Sequence, residues 1–183
     1  MKNLNSIVTL GILIFSNFCL ALPQPKAISP SPILNRAQCQ LFNQVLNQQW
    51  QELSSLYKKS DARFTKLAAD NSPYFVSGSG SDLVILLHGF LGSPFEMNRM
   101  ATALKNKGYS VLNDLIPGYG FSAKIANQFN KNYWDKYFDI RYTAAFQCFK
   151  RVHFIGFSTG GQTIHKFLIT HPRLKATDRK SVV

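Results

Sequence analysis

Residues 152–161, VHFIGFSTGG, place one serine between two glycines directly after a short apolar run. The apolar run predicts a buried strand, and the residues from Gln162 to Ile169 predict a helix. A serine on the sharp turn between a strand and a helix projects its hydroxyl above the sheet, where Gly156 and Gly160 leave the backbone room to turn. The stretch therefore indicates a sheet covered by helices and makes Ser158 a candidate nucleophile.

The chemistry of such a serine depends on its neighbours. A serine hydroxyl is a weak nucleophile unless a base removes its proton and hydrogen-bond donors stabilise the oxyanion that forms on attack at a carbonyl. The helix that begins after Ser158 aims its amide dipoles at that charge. An isolated GxSxG also fits an ordinary turn. Here, however, the apolar run Leu83–Leu87 predicts an earlier strand that ends in HGF at residues 88–90, where a second oxyanion donor is expected.

Other segments alternate between helical and strand patterns. Apolar residues from Leu34 to Leu67 recur at steps of three and four, which predicts one or two amphipathic helices. From Tyr74, the letters YFV, SGSGSD and LVILL predict a strand, a tight turn and a second strand. The aromatic-rich segment from Tyr133 to Phe149 is roughly helical, and we interpret its rings as core packing.

The residues after the HGF motif predict a helix with defined ends. Ser93, Pro94 and Glu96 suit a serine cap, a proline at the first helical position and a glutamate that reaches back to the cap. Gly108 is expected to end this helix, and Tyr109–Leu112 predicts a short strand. The alternation of strands and helices predicts an α/β fold with a doubly wound, mostly parallel sheet.

Two stretches in this order, VILLHGFLGSPFEMNRMATALKNKGYSVLNDLIPGYG (84–120) and VHFIGFSTGG, resemble the α/β-hydrolase superfamily, and most of all its small bacterial carboxylesterases and monoacylglycerol lipases. The resemblance covers residues 74–172. It implies that Ser158 is the acyl-accepting nucleophile and that the backbone amides of Phe90 and Thr159 form the oxyanion hole. The supporting residues that it implies are His88, Gly89, Gly156 and Gly160.

The resemblance also limits the substrate. Because HGF carries a single apolar residue, the resemblance implies a small carboxylic ester of simple or medium acyl length. It implies neither a metal nor an organic cofactor. Serine rather than aspartate at the turn argues against haloalkane dehalogenases and epoxide hydrolases. Perhydrolases, acyltransferases and proline-type peptidases stay open, as does a non-catalytic binding protein of the same fold.

The family pattern requires an acid and then a histidine after later strands. We interpret all four histidines here as structural, and Asp178 is the only carboxylate after Ser158. The sequence is therefore expected to be the N-terminal portion of a hydrolase domain, with the C-terminal half of its sheet absent, and to hydrolyse esters slowly. Residues 178–183, DRKSVV, match the translation of a short-read sequencing adapter, so we interpret them as a non-native tail.

The start of the chain predicts export. Lys2 precedes an apolar run from Ile7 to Phe18, and the small residues that follow predict a signal peptide of residues 1–21, which places the protein in the periplasm or outside the cell. The run is shorter than the ~20 residues of a membrane-spanning helix, so a permanent anchor is the weaker interpretation. A lipid-modified Cys19 is disfavoured by the bulky Phe18 before it. The remaining predicted boundaries are a Pro-rich leader (22–33), a helical extension (34–70) and the N-terminal half of the hydrolase domain (71–177).

The net charge of +12 raises the question of nucleic acid. The basic residues are scattered without a stripe of stacking aromatics, which argues against that partner. No stable membrane insertion is expected after signal cleavage, and the oligomeric state stays open. Cys39 and Cys148 form an even pair after signal removal, which fits either a disulfide in an oxidising compartment or two buried thiols.

Overall fold

The structure is a computed structural model that describes residues 36–175. The predicted signal peptide, the Pro-rich leader and the C-terminal tail lie outside these residues. The elements in chain order are α1 (Arg36–Ser60), α2 (Phe64–Asn71), β1 (Tyr74–Val76), β2 (Asp82–Leu87), a 3-10 helix (Pro94–Met97), α3 (Asn98–Asn106), β3 (Ser110–Asp114), α4 (Ala123–Ala126), α5 (Lys131–Cys148), β4 (Arg151–Gly156), α6 (Thr159–Thr170) and α7 (Pro172–Lys175).

The sheet has four strands in the order β1-β3-β2-β4. The pairs β3–β2 and β2–β4 are parallel, and β1 is antiparallel to β3. Leu87 at the end of β2 is aligned with Asp114 in β3 and with Gly156 in β4. The carboxyl ends of three parallel strands therefore meet at one edge, and the predicted α/β class with a mostly parallel sheet is confirmed.

Helices cover both faces of the sheet. As a consequence, β2 is buried along its whole length. Successive side chains of a strand point to opposite faces. Val84 and Leu86 pack with residues of α3, whereas Leu83, Ile85 and Leu87 belong to the larger core beneath α1, α5 and α6. A strand buried on both faces reads as a continuous apolar run, which is why the pattern in LVILL predicted this strand correctly.

The helices α1 and α2 form a packing layer on the larger core. Phe42, Leu53 and Tyr57 of α1 and Phe64 of α2 are buried. A disulfide joins Cys39 of α1 to Cys148 at the end of α5. Of the two alternatives that the sequence left open for these cysteines, the structure has the disulfide.

A buried ion pair fixes α5 to the sheet. The Arg141 guanidinium of α5 contacts the Asp114 carboxylate of β3, and the side chains are 1% and 0% exposed. Arg141 Nε also donates to Gln49 Oε1 of α1 at 2.8 Å, and Gln49 Nε2 donates to the Tyr137 carbonyl at 3.1 Å. These polar contacts fix how α1 and α5 sit against each other, since an unpaired charge there would be costly.

One local prediction was wrong. Ser93 does not cap a helix through its side chain, because its hydroxyl donates to Asn71 Oδ1 at 2.8 Å, and the residues that follow form a 3-10 turn. The Gly/Ser-rich turn joins two strands as predicted, but these strands are not neighbours in the sheet, because β1 pairs with β3. In the turn, Gly80 N donates to the Gly108 carbonyl after α3 at 3.0 Å.

Candidate active site

Ser158 joins β4 to α6 in a left-handed backbone conformation. Its φ is 51° and its ψ is −115°. A residue other than glycine held there costs about 1–3 kcal/mol, and such strain is concentrated at functional sites. A side chain on Gly156 would place its Cβ 2.5 Å from the Gly161 nitrogen, so the turn cannot form with a larger residue.

The Ser158 side chain is exposed and does not cap the helix that it precedes. Serine at this position usually bonds an amide of the first turn of the helix. Thr159 is the first residue of α6, so its N–H has no acceptor within the helix. Within residues 36–175, the hydroxyl of Ser158 and the N–H of Thr159 therefore stand together at the positive end of α6.

The turn at residues 88–92 packs directly against the turn at Ser158. Phe157 N donates to the Leu87 carbonyl at 3.0 Å. A Cβ on Gly160 would lie 2.3 Å from the Leu87 oxygen and 2.5 Å from the His88 oxygen, and one on Gly89 would lie 2.8 Å from the Phe157 ring. Because Gly160 meets backbone atoms, only glycine permits this approach at that position.

These contacts bring together all the residues that the resemblance implied, at the carboxyl edge of the sheet. Phe90 sits one residue after Gly89 in this turn. No hydrogen bond from the Phe90 N–H is found within the described residues. An N–H without a partner among the described residues is available as an oxyanion donor.

His88 binds the backbone through both ring nitrogens. Its Nε2 accepts from Ile116 N at 3.0 Å, so Nδ1 carries the proton and donates to the Gly89 carbonyl at 2.9 Å. Burial lowers the pKa of His88 to about 4. A neutral ring with both nitrogens engaged links the turn at residues 88–92 to the loop after β3, and it is a poor general base.

The other three histidines lie away from Ser158. His153 is in the body of β4, packed on Tyr109 with its Nε2 3.7 Å from Asp82 Oδ2. His165 is exposed about two turns along α6. His171 follows the end of α6, which at 12 residues is roughly 18 Å long.

His171 is instead part of a groove between α5 and α6. Its Nε2 lies 2.6 Å from Asp139 Oδ1 of α5. The groove has a volume of about 420 Å³ and also carries the ion pair of Lys166 and Asp135. An Asp–His pair is a familiar catalytic combination, but the length of α6 separates this one from the Ser158 hydroxyl. None of the four histidines is therefore placed to take the Ser158 proton.

Large apolar side chains surround the turn that carries Ser158. Phe90 and Phe157 are 66% and 57% exposed, and Leu91 and Phe95 are also exposed. The Phe157 ring contacts Gly89, the neighbour of Phe90 in the chain, so both rings belong to the region where the two turns meet. Such a surface suits the hydrocarbon part of a substrate.

Sequence reasoning missed the residues that fix the loop between β3 and α4. Tyr119 in this loop packs edge-on against the Phe90 ring at 5.5 Å and against Trp134 at the same centroid distance. The glycines on either side of it have positive φ, 96° at Gly118 and 79° at Gly120. The letters PGYG were the available signal, since glycines that flank one aromatic residue indicate a turn that presents it.

The described residues lack two features that would point to other functions. Between residues 36 and 175, no helix is both long and apolar enough to cross a membrane. In the same part of the chain, no three side chains of the types that bind metals cluster together.

Comparison with known proteins gives matches among solved structures. No protein-family model and no curated protein matches the sequence. Among the solved structures that match is one described under the heading of LipS and LipT, two metagenome-derived lipolytic enzymes, with 22% identity and a TM-score of 0.48. The match covers 57% of this chain and 42% of that chain, so the present sequence spans less than half of the length of the solved protein.

Proposed function

We propose that this protein is an exported serine hydrolase that cleaves carboxylic esters through an acyl-enzyme on Ser158. One observation carries the proposal: Ser158 has a strained left-handed backbone and an exposed hydroxyl that caps nothing, at the sheet edge where the turn at residues 88–92 packs against it. An ordinary turn from strand to helix would need neither the strain nor the two close glycine contacts.

The reaction has two steps. A base takes the Ser158 proton, the oxygen bonds to the ester carbonyl carbon, and the N–H groups of Phe90 and Thr159 donate to the oxyanion. The tetrahedral intermediate collapses, the bond to the alcohol oxygen breaks, and the alcohol leaves with a proton. Water then attacks the acyl-enzyme, and the acid is released as Ser158 regains its proton. No metal or organic cofactor takes part in this scheme.

The base in this scheme is a histidine supplied by sequence beyond these 183 residues, with an acid to orient it. The positions of the four histidines support this, because each is bonded to backbone or far along an element from Ser158. The 183-residue chain is accordingly expected to hydrolyse esters far more slowly than a complete enzyme. The Cys39–Cys148 disulfide supports an exported protein, since such bonds persist outside the reducing cytoplasm.

A second candidate is a non-catalytic binding protein of the α/β-hydrolase type. It is favoured by the same observation that no histidine is placed to act on Ser158. Other serine acyl-transfer enzymes, such as peptidases and acyltransferases, would use the same turn and differ in substrate.

The complete reading frame separates these candidates. The hydrolase proposal predicts an Asp or Glu and then a His after later strands. It also predicts that the protein expressed from the complete frame hydrolyses p-nitrophenyl butyrate and that Ser158→Ala abolishes this activity. Hydrolysis that persists in Ser158→Ala, or a complete frame without those residues, would overturn the proposal. Comparison of ester, peptide and acyl-acceptor substrates then assigns the reaction class.

A further inference from the structure

The loop at residues 115–121 is held by hydrogen bonds at nearly every backbone position. Ile116 N donates to His88 Nε2, and Trp134 Nε1 donates to the Pro117 carbonyl at 2.9 Å. Gly118 N donates to the Tyr57 hydroxyl at 2.7 Å, a bond that comes from α1. The loop therefore presents Tyr119 to the Phe90 ring from a fixed position.

Asn71, the last residue of α2, bonds both this loop and the turn that carries Phe90. Its Nδ2 donates to the Gly120 carbonyl, and its Oδ1 accepts from the Ser93 hydroxyl at 2.8 Å. Ser93 is buried, so water does not compete easily for that bond. One side-chain amide thus uses its donor on the loop and its acceptor on the end of the turn.

The loop at residues 115–121 and the end of the turn at Ser93 also pack closely against each other beside Asn71. A Cβ on Gly120 would meet the Ser93 Cβ at 3.0 Å and the Asn71 Cβ at 3.6 Å. The positive φ of Gly120 favours glycine, and the close contact with Ser93 is a second reason for a small residue here. Loop, turn and the end of α2 therefore meet at a single point.

We propose that Asn71 is a positioning residue that fixes the turn at residues 88–93 against the loop at residues 115–121, and so holds the Phe90 N–H in place for the oxyanion. The inference rests on the proposed function for the role of Phe90. The α1–α2 layer would then act on the active site through contacts already described. Tyr57 and Asn71 bond the loop at residues 115–121, which carries Tyr119. Tyr119 packs on Phe90, and Asn71 bonds Ser93 at the end of the turn. Asn71 itself touches no reacting atom.

The test compares Asn71→Ala with Asp70→Ala, its exposed neighbour on α2. Hydrogen–deuterium exchange is measured in residues 88–93 and 116–121 of the folded chain, at amides that donate hydrogen bonds, such as Gly92 N–H to the Gly89 carbonyl and Gly118 N–H to the Tyr57 hydroxyl. Loss of a hydrogen bond of this kind changes a local equilibrium by about tenfold, so Asn71→Ala is expected to speed exchange of these amides about tenfold in both segments. Asp70→Ala is expected to leave both unchanged, and Ser93→Ala to affect residues 88–93 more than the loop.

Activity supplies the second readout. The activity assay uses the protein encoded by the complete reading frame, because the 183-residue chain is expected to lack the base. Ser158-dependent hydrolysis of p-nitrophenyl butyrate is expected to show kcat about tenfold lower in Asn71→Ala with KM within about twofold of wild type, because the oxyanion forms only in the transition state. Unchanged exchange at residues 88–93, or faster exchange with unchanged kcat, would overturn the role of Asn71. Absence of Ser158-dependent hydrolysis in the protein from the complete frame would count against the proposed function alone, since the exchange data still decide whether Asn71 holds the turn.

Discussion

Gly160 lies where a side chain would meet the backbone of another strand. Its Cα faces the Leu87 and His88 carbonyls, and a Cβ would come within 2.3 Å of the first. Gly161, the next residue in α6, would place a Cβ no closer than 3.3 Å to the Gly156 carbonyl. Gly160 and Gly161 therefore have different roles: Gly160 brings the turn at Ser158 against the turn at residues 88–92, whereas a Cβ on Gly161 needs its neighbour to move by only a few tenths of an ångström.

Gly160→Ala is therefore expected to lower the free energy of unfolding by about 3 kcal/mol, because the clash is with backbone that cannot rotate away. Gly161→Ala, the matched control, is expected to stay within about 1 kcal/mol of wild type, since alanine also favours the helix. Urea denaturation followed by circular dichroism measures both. Equal losses in the two variants would contradict the role given to Gly160.

His88 gives stability a pH dependence of known sign. Its pKa is about 4 in the folded protein, below the 6.5 of a free histidine, because burial disfavours the charged ring. Between these two values the unfolded chain binds the proton and the folded one does not, so the contribution of His88 is complete above pH 6.5 and is lost as the pH falls towards 4. The full difference amounts to about 3 kcal/mol.

His88→Gln tests this prediction, because the glutamine amide is neutral at every pH and its oxygen can accept from Ile116 N. The variant is expected to lose less stability than wild type when the pH is lowered from 7 to 4.5, measured by urea denaturation at each pH. The difference between the two proteins isolates His88 from the carboxylates that also titrate. Identical pH profiles would show that His88 is not held neutral.

At the scale of elements, sequence patterns predicted the helices and strands whose apolar residues are buried in a regular pattern. The apolar run of β2 and the three- and four-residue steps of α1 reflect the surfaces that these elements bury, so their positions were readable. Ser93 shows the limit. Its neighbours form a helix-start pattern, yet its hydroxyl bonds Asn71, which lies 22 residues earlier, and no local pattern encodes that choice.

The same limit explains why the residues that support the turn next to Ser158 could not be predicted from the sequence. Ser158 and its glycines form one contiguous motif, so the sequence was enough to select them. Tyr119, Asn71 and Tyr57 act through contacts between distant segments, and each reads as an ordinary turn, cap or core residue. Pairing of β1 with β3 rather than β2 was hidden for the same reason, since a short turn does not reveal which strand lies beside it.

The attachment of α1 to the rest of the chain can be measured directly. The disulfide joins residues 109 positions apart, so it removes much of the freedom of the unfolded chain. Cys39→Ser with Cys148→Ser is expected to lower the free energy of unfolding by about 2–4 kcal/mol. Dithiothreitol is expected to destabilise the wild-type protein by the same amount and to leave the double variant unchanged. If dithiothreitol left the free energy of unfolding of the wild-type protein unchanged, the disulfide would not form in solution.

At the scale of the whole molecule, the two edges of the sheet differ. β1 is short and antiparallel at one edge, whereas β4 at the other edge pairs only with β2 among the described strands. Val152 and Phe154 of β4 are fully buried by the helices, so the strand has the apolar character of a central strand. An edge strand of this apolar character is a place where another chain can pair. Exposed apolar side chains at Phe157 and Ile169 lie on either end of the helix that follows.

We therefore expect the 183-residue chain to self-associate as its concentration rises, despite a net charge of +12 that disfavours contact between copies. Added salt screens that repulsion, so association is expected to increase with ionic strength, the reverse of what charge-driven assembly would give. Light scattering on eluted fractions at low and high salt measures the mass. Ile169→Lys removes one exposed apolar side chain without touching β4, and it is expected to reduce association only slightly if the strand edge is the contact. A chain that stays monomeric at high salt would show that the edge of β4 is protected, and would remove the reason to expect a further strand beside it.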